Sequence, residues 1–365
     1  MTTNASPTNR HFAVLDGLRG IAVLTVVLSH LSLLHLNPFP VDFTGIGKCG
    51  VYLFFVLSAF LLTYQFFERG EADAFTSSAL ANYFWRRALR VLPLFYLLVI
   101  ISGVTTHFFF ADLGGHGVPY TIISFRSMIA HLLLLEGVGV LWSIPVEFKF
   151  YFLLPLISWI FLFTGKKGVP VDVALTLGLI GLALYLFPTD TLVLGSVDLG
   201  YFLPVFLLGS LCASIAFKLP LDRHPRLSSA LATVIALLLG LTVPSIYSLV
   251  IRPIPPGYFQ KSLLLYGSLW ASFLYVVLHA VGWVRAVLTS GFLVFLGRVS
   301  FSVYLLHFPI LLACSKFAPG NRWVGAAACM LILAVSALSY RLIERPLSRI
   351  QWRDARRAMR LSSMI

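Results

Sequence analysis

Residues 15–30 read Leu15-Asp16-Gly17-Leu18-Arg19-Gly20-Ile21-Ala22-Val23-Leu24-Thr25-Val26-Val27-Leu28-Ser29-His30. The run is apolar enough to enter a bilayer, yet it carries an arginine and a histidine. Ionisable groups are expensive inside a membrane span, so each marks a functional position by default. Arg19 and His30 stand eleven positions apart. At ~100° per residue this is ~1100°, about 20° beyond three whole turns, so both side chains share one helix face. At ~1.5 Å per residue they lie ~16 Å apart along the axis. One face therefore presents a fixed cation towards one membrane surface and a titratable base towards the other. Taken singly, the arginine could snorkel to headgroups and the histidine could be satisfied by a neighbouring helix. The alignment of the two favours a functional reading.

The rest of the chain supports a membrane setting. Of its 365 residues, 59% are hydrophobic and only 11% charged, and the mean hydropathy is +0.91. A soluble domain carries about a quarter charged residues, so a polytopic all-α membrane protein is expected, with no separate soluble domain. Asp16 and Arg19 interrupt what would be the apolar core of a signal peptide, so the first span reads as retained. The net charge of +13 does not indicate nucleic acid, because the basic residues form short clusters between apolar runs, as cytoplasmic loops do. The basic stretch Arg341 to Arg360 suits an anionic leaflet. Four scattered cysteines show neither metal spacing nor a disulfide framework.

With ~20 apolar residues per crossing, ten spans are expected near 12–34, 50–68, 88–110, 143–163, 170–187, 201–217, 228–249, 262–282, 292–314 and 323–343. Segment 127–140 is left over, of a length that suits a re-entrant or partial helix. If it does not cross and Arg10 is cytoplasmic, then Arg69, Arg86, Arg87, Arg90, Lys166, Lys167, Lys218, Arg223, Arg226, Arg285 and the basic tail all fall inside, as the positive-inside rule requires. Both termini are then cytoplasmic, and Arg252 and Lys261 are exceptions in an outer loop. Residues 1–347 form one membrane domain and 348–365 a basic cytoplasmic tail.

Four further stretches carry distinctive residues. Phe54-Phe55-Val56-Leu57-Ser58-Ala59-Phe60-Leu61 lies in the second span, and its small residues suit close helix packing. Arg86-Arg87-Ala88-Leu89-Arg90-Val91-Leu92-Pro93 opens the third. Guanidiniums grouped there could bind phosphate bidentately or simply anchor the span. Trp142-Ser143-Ile144-Pro145-Val146-Glu147-Phe148-Lys149-Phe150-Tyr151 opens the fourth from the outer side, which predicts Glu147 near the depth of His30. A carboxylate beside an imidazole fixes its tautomer and raises its basicity. The alternative partner for Glu147, Lys149, faces another way. Gly297-Arg298-Val299-Ser300-Phe301-Ser302-Val303-Tyr304-Leu305-Leu306-His307-Phe308-Pro309 follows late in the chain. On one continuous helix Arg298 and His307 stand ~180° apart and cannot serve one point.

Together with the arginine, ten residues and histidine of the first span, these stretches resemble membrane-bound acyltransferase family 3, over roughly residues 12–347. Ala59 stands where the family has glycine, Phe301 where it has tyrosine, and Pro145 departs from its usual Ser or Thr. The resemblance implies O-acyl transfer, most often of acetyl from cytoplasmic acetyl-CoA to a saccharide hydroxyl outside the cytoplasm, in a bacterial plasma membrane and without a metal. It implies His30 and Glu147 as catalytic residues and Arg19, Arg86, Arg87, Arg90 and Arg298 as the CoA-phosphate site. Asp16, Ser143, Tyr151, Tyr304 and His307 are auxiliary candidates. Glu344-Arg345-Pro346 matches the family's late motif and reads as helix termination. A competing class is a transporter of a glycan or lipid-linked intermediate that uses Arg19, His30 and Glu147 as a relay. His107 and Asp112 have the spacing of glycerolipid acyltransferases but lack their phosphate-binding stretch, which makes that match a coincidence.

Overall fold

A computed structural model describes residues 7–109, 120, 122, 124–165, 168–219 and 224–350. The candidate pair His107/Asp112, His116, Lys166, Lys167, Arg223 and the tail beyond residue 350 lie outside the described residues or side chains. Every regular element described is helical, and there is no strand among the described residues.

The chain enters through α1 (Pro7–Leu33) and returns through α2 (Gly47–Ala74) and α3 (Ser77–Phe109). A short α4 (Phe125–Leu132) and one 3₁₀ turn (Gly139–Trp142) lead into α5 (Ser143–Gly165), α6 (Val169–Leu186) and α7 (Leu199–Lys218). Then come α8 (Pro225–Leu241), α9 (Pro244–Val250), α10 (Leu263–Val277), α11 (Gly282–Leu288), α12 (Gly291–Arg298), α13 (Ser300–Phe317), α14 (Arg322–Ser339), a π-helical turn (Tyr340–Glu344) and α15 (Arg345–Leu347). Eight helices are long and apolar enough to cross a membrane, and two bent pairs bring the total to ten.

Three expected spans are not straight. The one near 228–249 bends by 92° between α8 and α9, and the one near 262–282 by 107° between α10 and α11. Pro244 sits at the first turn of α9, where its fixed φ starts a helix that its ring would disrupt from within. Gly282 opens α11 at φ 65. The span near 292–314 divides at Val299, whose φ of −96 and ψ of 8 fall in the bridge region. Arg298 and His307 therefore belong to different helices, and the single-helix expectation for them is corrected. The leftover segment is the eight-residue α4, capped by Ser124, whose Oγ accepts from the Ser127 N–H at 3.1 Å. At ~1.5 Å per residue it cannot cross. His131 fastens it: Nδ1 donates to Ser127 O at 2.8 Å, and Nε2 accepts from the Val138 N–H at 3.0 Å.

Burial ranks the helices. In the most apolar window of α2, 72% of residues are buried, against 17% for the final span, so α2 is the bundle's axis and α14 a lipid-facing helix. α2 packs on α1, α5, α7 and α10, while α1 also packs on α12 and α13. Glycines on both sides let α1 approach α11 and α12 closely. A Cβ on Gly17 would lie 1.8 Å from the Leu288 carbonyl oxygen, and one on Gly297 would lie 1.8 Å from that of Asp16. Small residues let backbones approach where no hydrophobic gain separates protein from lipid. Ala59 has its partner on α7, where a Cβ on Gly209 would fall 2.9 Å from that of Ala59. The missing family glycine is thus matched by a glycine across the interface.

Candidate functional site

α1 sets the axis of the site. Arg19 and His30 both line cavities inside the bundle, and the two cavities adjoin, sharing Val51 and Tyr304 as a common wall. The Arg19 cavity is small, about 50 Å³, and the His30 cavity about 320 Å³.

The smaller cavity gathers a cluster of polar groups against an otherwise apolar wall. Arg19 from α1 and Arg90 from α3 line it with Ser58, Glu147 and Tyr151. Glu147 Oε1 accepts from Ser58 Oγ at 2.5 Å and from the Tyr151 hydroxyl at 2.6 Å. Tyr151 is placed in turn by its own carbonyl, which accepts from the Tyr83 hydroxyl at 3.0 Å. Glu147 accordingly stands at the level of Arg19, and the expectation that it orients His30 is corrected. The fourth span begins at Gly139, in the 3₁₀ turn, so Glu147 lies eight residues in. At ~1.5 Å per residue that is ~12 Å below the point of entry.

The five arginines separate. Arg19 and Arg90 line the cavity. Arg87 lies close enough to Arg19 and Glu147 to interact electrostatically, and its Nε is buried without a hydrogen-bond partner. Arg86 is exposed, away from the lining. Arg298 is 63% exposed and reaches Asp16, its Nε 3.9 Å from Oδ2, while Arg19 Nη1 lies 3.3 Å from Oδ1 of the same carboxylate. Asp16 thus couples the two arginines. A buried donor without a partner costs about 1–3 kcal/mol, and the Arg87 Nε carries that cost.

In the larger cavity the partner of His30 is His307. His30 Nδ1 lies 3.0 Å from Val26 O and 3.2 Å from His307 Nε2, and His307 Nδ1 lies 3.1 Å from Val303 O. Carbonyl oxygens only accept, so each neutral ring carries its proton on Nδ1. The His30 Nδ1–H then donates to Val26 O and to His307 Nε2, and His30 Nε2 keeps its lone pair. Phe308 closes edge-on against the His30 ring, with centroids 5.2 Å apart. His307 is completely buried and reaches His30 because α13 starts afresh after Val299.

Tyr304 partitions the two cavities. Its hydroxyl accepts from Ser143 Oγ at 2.8 Å and donates to Val140 O at 2.7 Å. This ties α13 to the start of α5, with the ring between the arginines and the imidazole. Ser143, Tyr151, Tyr304 and His307 therefore all sit at the site. Lys48 is also there: it lines the His30 cavity, its ammonium 3.4 Å from the Trp142 ring centroid. The sequence holds a signal for it, since, like Arg252 and Lys261, it is a cation on the outer side of the expected topology. No group of three or more His, Cys, Asp or Glu that could hold a metal occurs among the described residues.

The fold and these cavities define a multi-span helical membrane protein with guanidiniums and an imidazole buried in its interior. The family model for an acyltransferase domain matches residues 12–341, and the chain belongs to that family, acyltransferase 3. It is 25% identical over 357 residues to the peptidoglycan O-acetyltransferase OatA of Listeria monocytogenes, covering 91% of this chain and 55% of the relative. It is 27% identical over 376 residues to a Staphylococcus aureus (strain MRSA252) protein whose name proposes an O-acetyltransferase, covering 95% and 59%. It is 23% identical over 362 residues to the O-acetyltransferase OatA of Staphylococcus aureus (strain NCTC 8325), covering 93% and 57%. The chain thus spans little more than half the length of these relatives. No solved structure matches it.

Proposed function

We propose that this chain is an integral O-acetyltransferase of the bacterial plasma membrane. It moves an acetyl group from cytoplasmic acetyl-CoA to a hydroxyl of a saccharide outside the cytoplasm or linked to lipid, with peptidoglycan as one candidate acceptor. The observation that carries this reading is the pair of adjoining cavities along one face of α1, one holding Arg19 and the other His30.

Arg19, Arg87 and Arg90 hold the CoA phosphates electrostatically, with Arg86 and Arg298 at the rim. Asp16 holds Arg19 and Arg298, and Glu147 adds negative charge beside Arg87. The pantetheine arm runs along α1 past Tyr304, over the ~16 Å between Arg19 and His30. A cavity of about 50 Å³ is too small for the arm, so Tyr304 moves when the donor enters. At the far end His30 Nε2 takes the proton of the acceptor hydroxyl as general base. The oxygen attacks the thioester carbonyl, the C–S bond breaks, and the departing thiolate receives the proton held by His30. His307 holds the His30 tautomer that makes Nε2 the base.

The test is acceptor-dependent release of CoA by the purified full chain in lipid nanodiscs. A positioned general base contributes about 10²- to 10⁴-fold, so His30→Ala should lose at least about 100-fold while unfolding at the wild-type temperature. Transfer by that variant near the wild-type rate overturns the mechanism. Saccharide uptake by proteoliposomes without CoA turnover favours a carrier instead.

A further inference from the structure

We propose that the His30 cavity is an anion-accepting site: it takes a saccharide that bears a carboxylate or phosphate, and Lys48 is the group that selects it. The inference deepens the function proposed above and rests on that reading for calling the bound saccharide the acceptor.

Among the described residues Lys48 is the only lysine or arginine that lines this cavity, and no described aspartate or glutamate lines it. Its ammonium lies over the Trp142 ring at 3.4 Å, and Trp142 is held in place by Phe202, with centroids 4.9 Å apart, and by Phe55 at 5.9 Å. A cation over an indole face gains about 0.5–2 kcal/mol, which fixes the ammonium's position without supplying a counter-charge. The nearest acidic residue in sequence, Asp42, is engaged elsewhere: its Oδ1 accepts from the Thr44 N–H at 2.9 Å and from Thr44 Oγ1 at 2.7 Å. No carboxylate is paired with Lys48 among the described residues.

The helix that carries Lys48 adds to the same field. Gly47 and Lys48 open α2 at the cavity wall. The N-cap, Ile46, supplies no side-chain bond, and the first turn has no acidic residue. The first N–H groups of a helix lack intrahelical partners, and the helix dipole places positive potential there. Lys48 is half-buried, a charge partly withdrawn from water without a counter-charge is costly, and an anionic ligand supplies the missing one. The remaining polar lining, Ser29, Thr44, Gln260 and His30, suits the hydroxyls and amides of a sugar. The cavity therefore pairs a charge-selecting end with the proton-accepting imidazole in one space.

The experiment measures equilibrium binding to the full chain in nanodiscs, which needs no acyl transfer and so separates this proposal from the enzymatic one. The probes are the disaccharide N-acetylglucosaminyl-N-acetylmuramic acid, its carboxyl-reduced neutral form, and the 1-phosphate of that neutral form. Hydrogen bonds to charged groups are worth about 10- to 100-fold. At least one anionic probe should bind about 10-fold or more tightly than the neutral one, and which of them does so distinguishes carboxylate from phosphate. Lys48→Gln should abolish the preference by weakening the anionic probe alone, and Lys48→Arg should keep most of it. Equal binding of all three probes, binding of none, or a preference that survives Lys48→Gln overturns the proposal. An unchanged unfolding temperature for Lys48→Gln and retained CoA binding confirm that the variant is folded.

Discussion

At the residue scale, the contrast between His307 and Glu147 is decisive. His307 contacts the imidazole and Glu147 stands among the guanidiniums. His307→Ala removes the acceptor on the His30 Nδ1–H side but leaves Val26 O in place, so catalysis should fall without vanishing. A drop of about 10- to 100-fold in kcat with little change in the KM for acetyl-CoA is expected, within the range a positioned base contributes. Glu147→Gln keeps acceptor capacity for Ser58 and Tyr151 but removes the negative charge near Arg19 and Arg87. Its effect should fall on acetyl-CoA binding, and the pH profile of kcat should keep the wild-type shape. A histidine base is active only when neutral, so activity declines as pH falls through its titration. A Glu147→Gln profile displaced along the pH axis would mean that the carboxylate acts on His30 after all.

At the element scale, helix crossings made by glycine hold Arg19 and Asp16 in register with Arg298. Gly17→Ala forces a Cβ to within 1.8 Å of the Leu288 oxygen, so α11 must shift against α1. Overpacking of this kind costs about 1–3 kcal/mol, read as a lower unfolding temperature in detergent. Gly178→Ala on α6 is the control, because its added Cβ meets nothing within 4 Å. That variant should be neutral or slightly stabilising, since Ala exceeds Gly by about 1 kcal/mol in helix propensity. Equal behaviour of the two variants would refute the close-approach role of Gly17.

For the whole molecule, one buried polar node ties α5, α6 and α7 together away from the cavities. Asp172 is fully buried and accepts from Thr164 Oγ1 at 2.8 Å and Ser214 Oγ at 2.5 Å, and it forms an ion pair with Lys218. Removing one partner of a buried pair costs about 3–5 kcal/mol, whereas replacing both by apolar groups can be neutral. Asp172→Leu should thus lower the unfolding temperature markedly, and adding Lys218→Met should restore much of it. The orientation of the bundle is testable at the same scale. With the four native cysteines replaced, Thr44→Cys should react with an impermeant thiol reagent on intact cells, and Arg86→Cys should react only after lysis. The reverse pattern would place the His30 cavity on the cytoplasmic side.

The sequence by itself determined the class and the first helix. Low charge and long apolar runs leave no alternative to a helical bundle in lipid, because backbone polar groups there must be satisfied within each segment. The 3.6-residue repeat alone aligned Arg19 with His30. The tertiary structure decided the partners: that Glu147 sits with the arginines, that His307 supports His30, that Lys48 enters the same cavity, and that Tyr304 divides the interior. Those facts depend on breaks and tilts. Span four begins in a 3₁₀ turn before Ser143, α13 restarts after Val299, and glycines set how closely α1 meets α11 and α12. Helical periodicity gives the direction of a side chain about its own axis but not how deep that helix lies against its neighbours. Depth is set by packing between segments far apart in the chain.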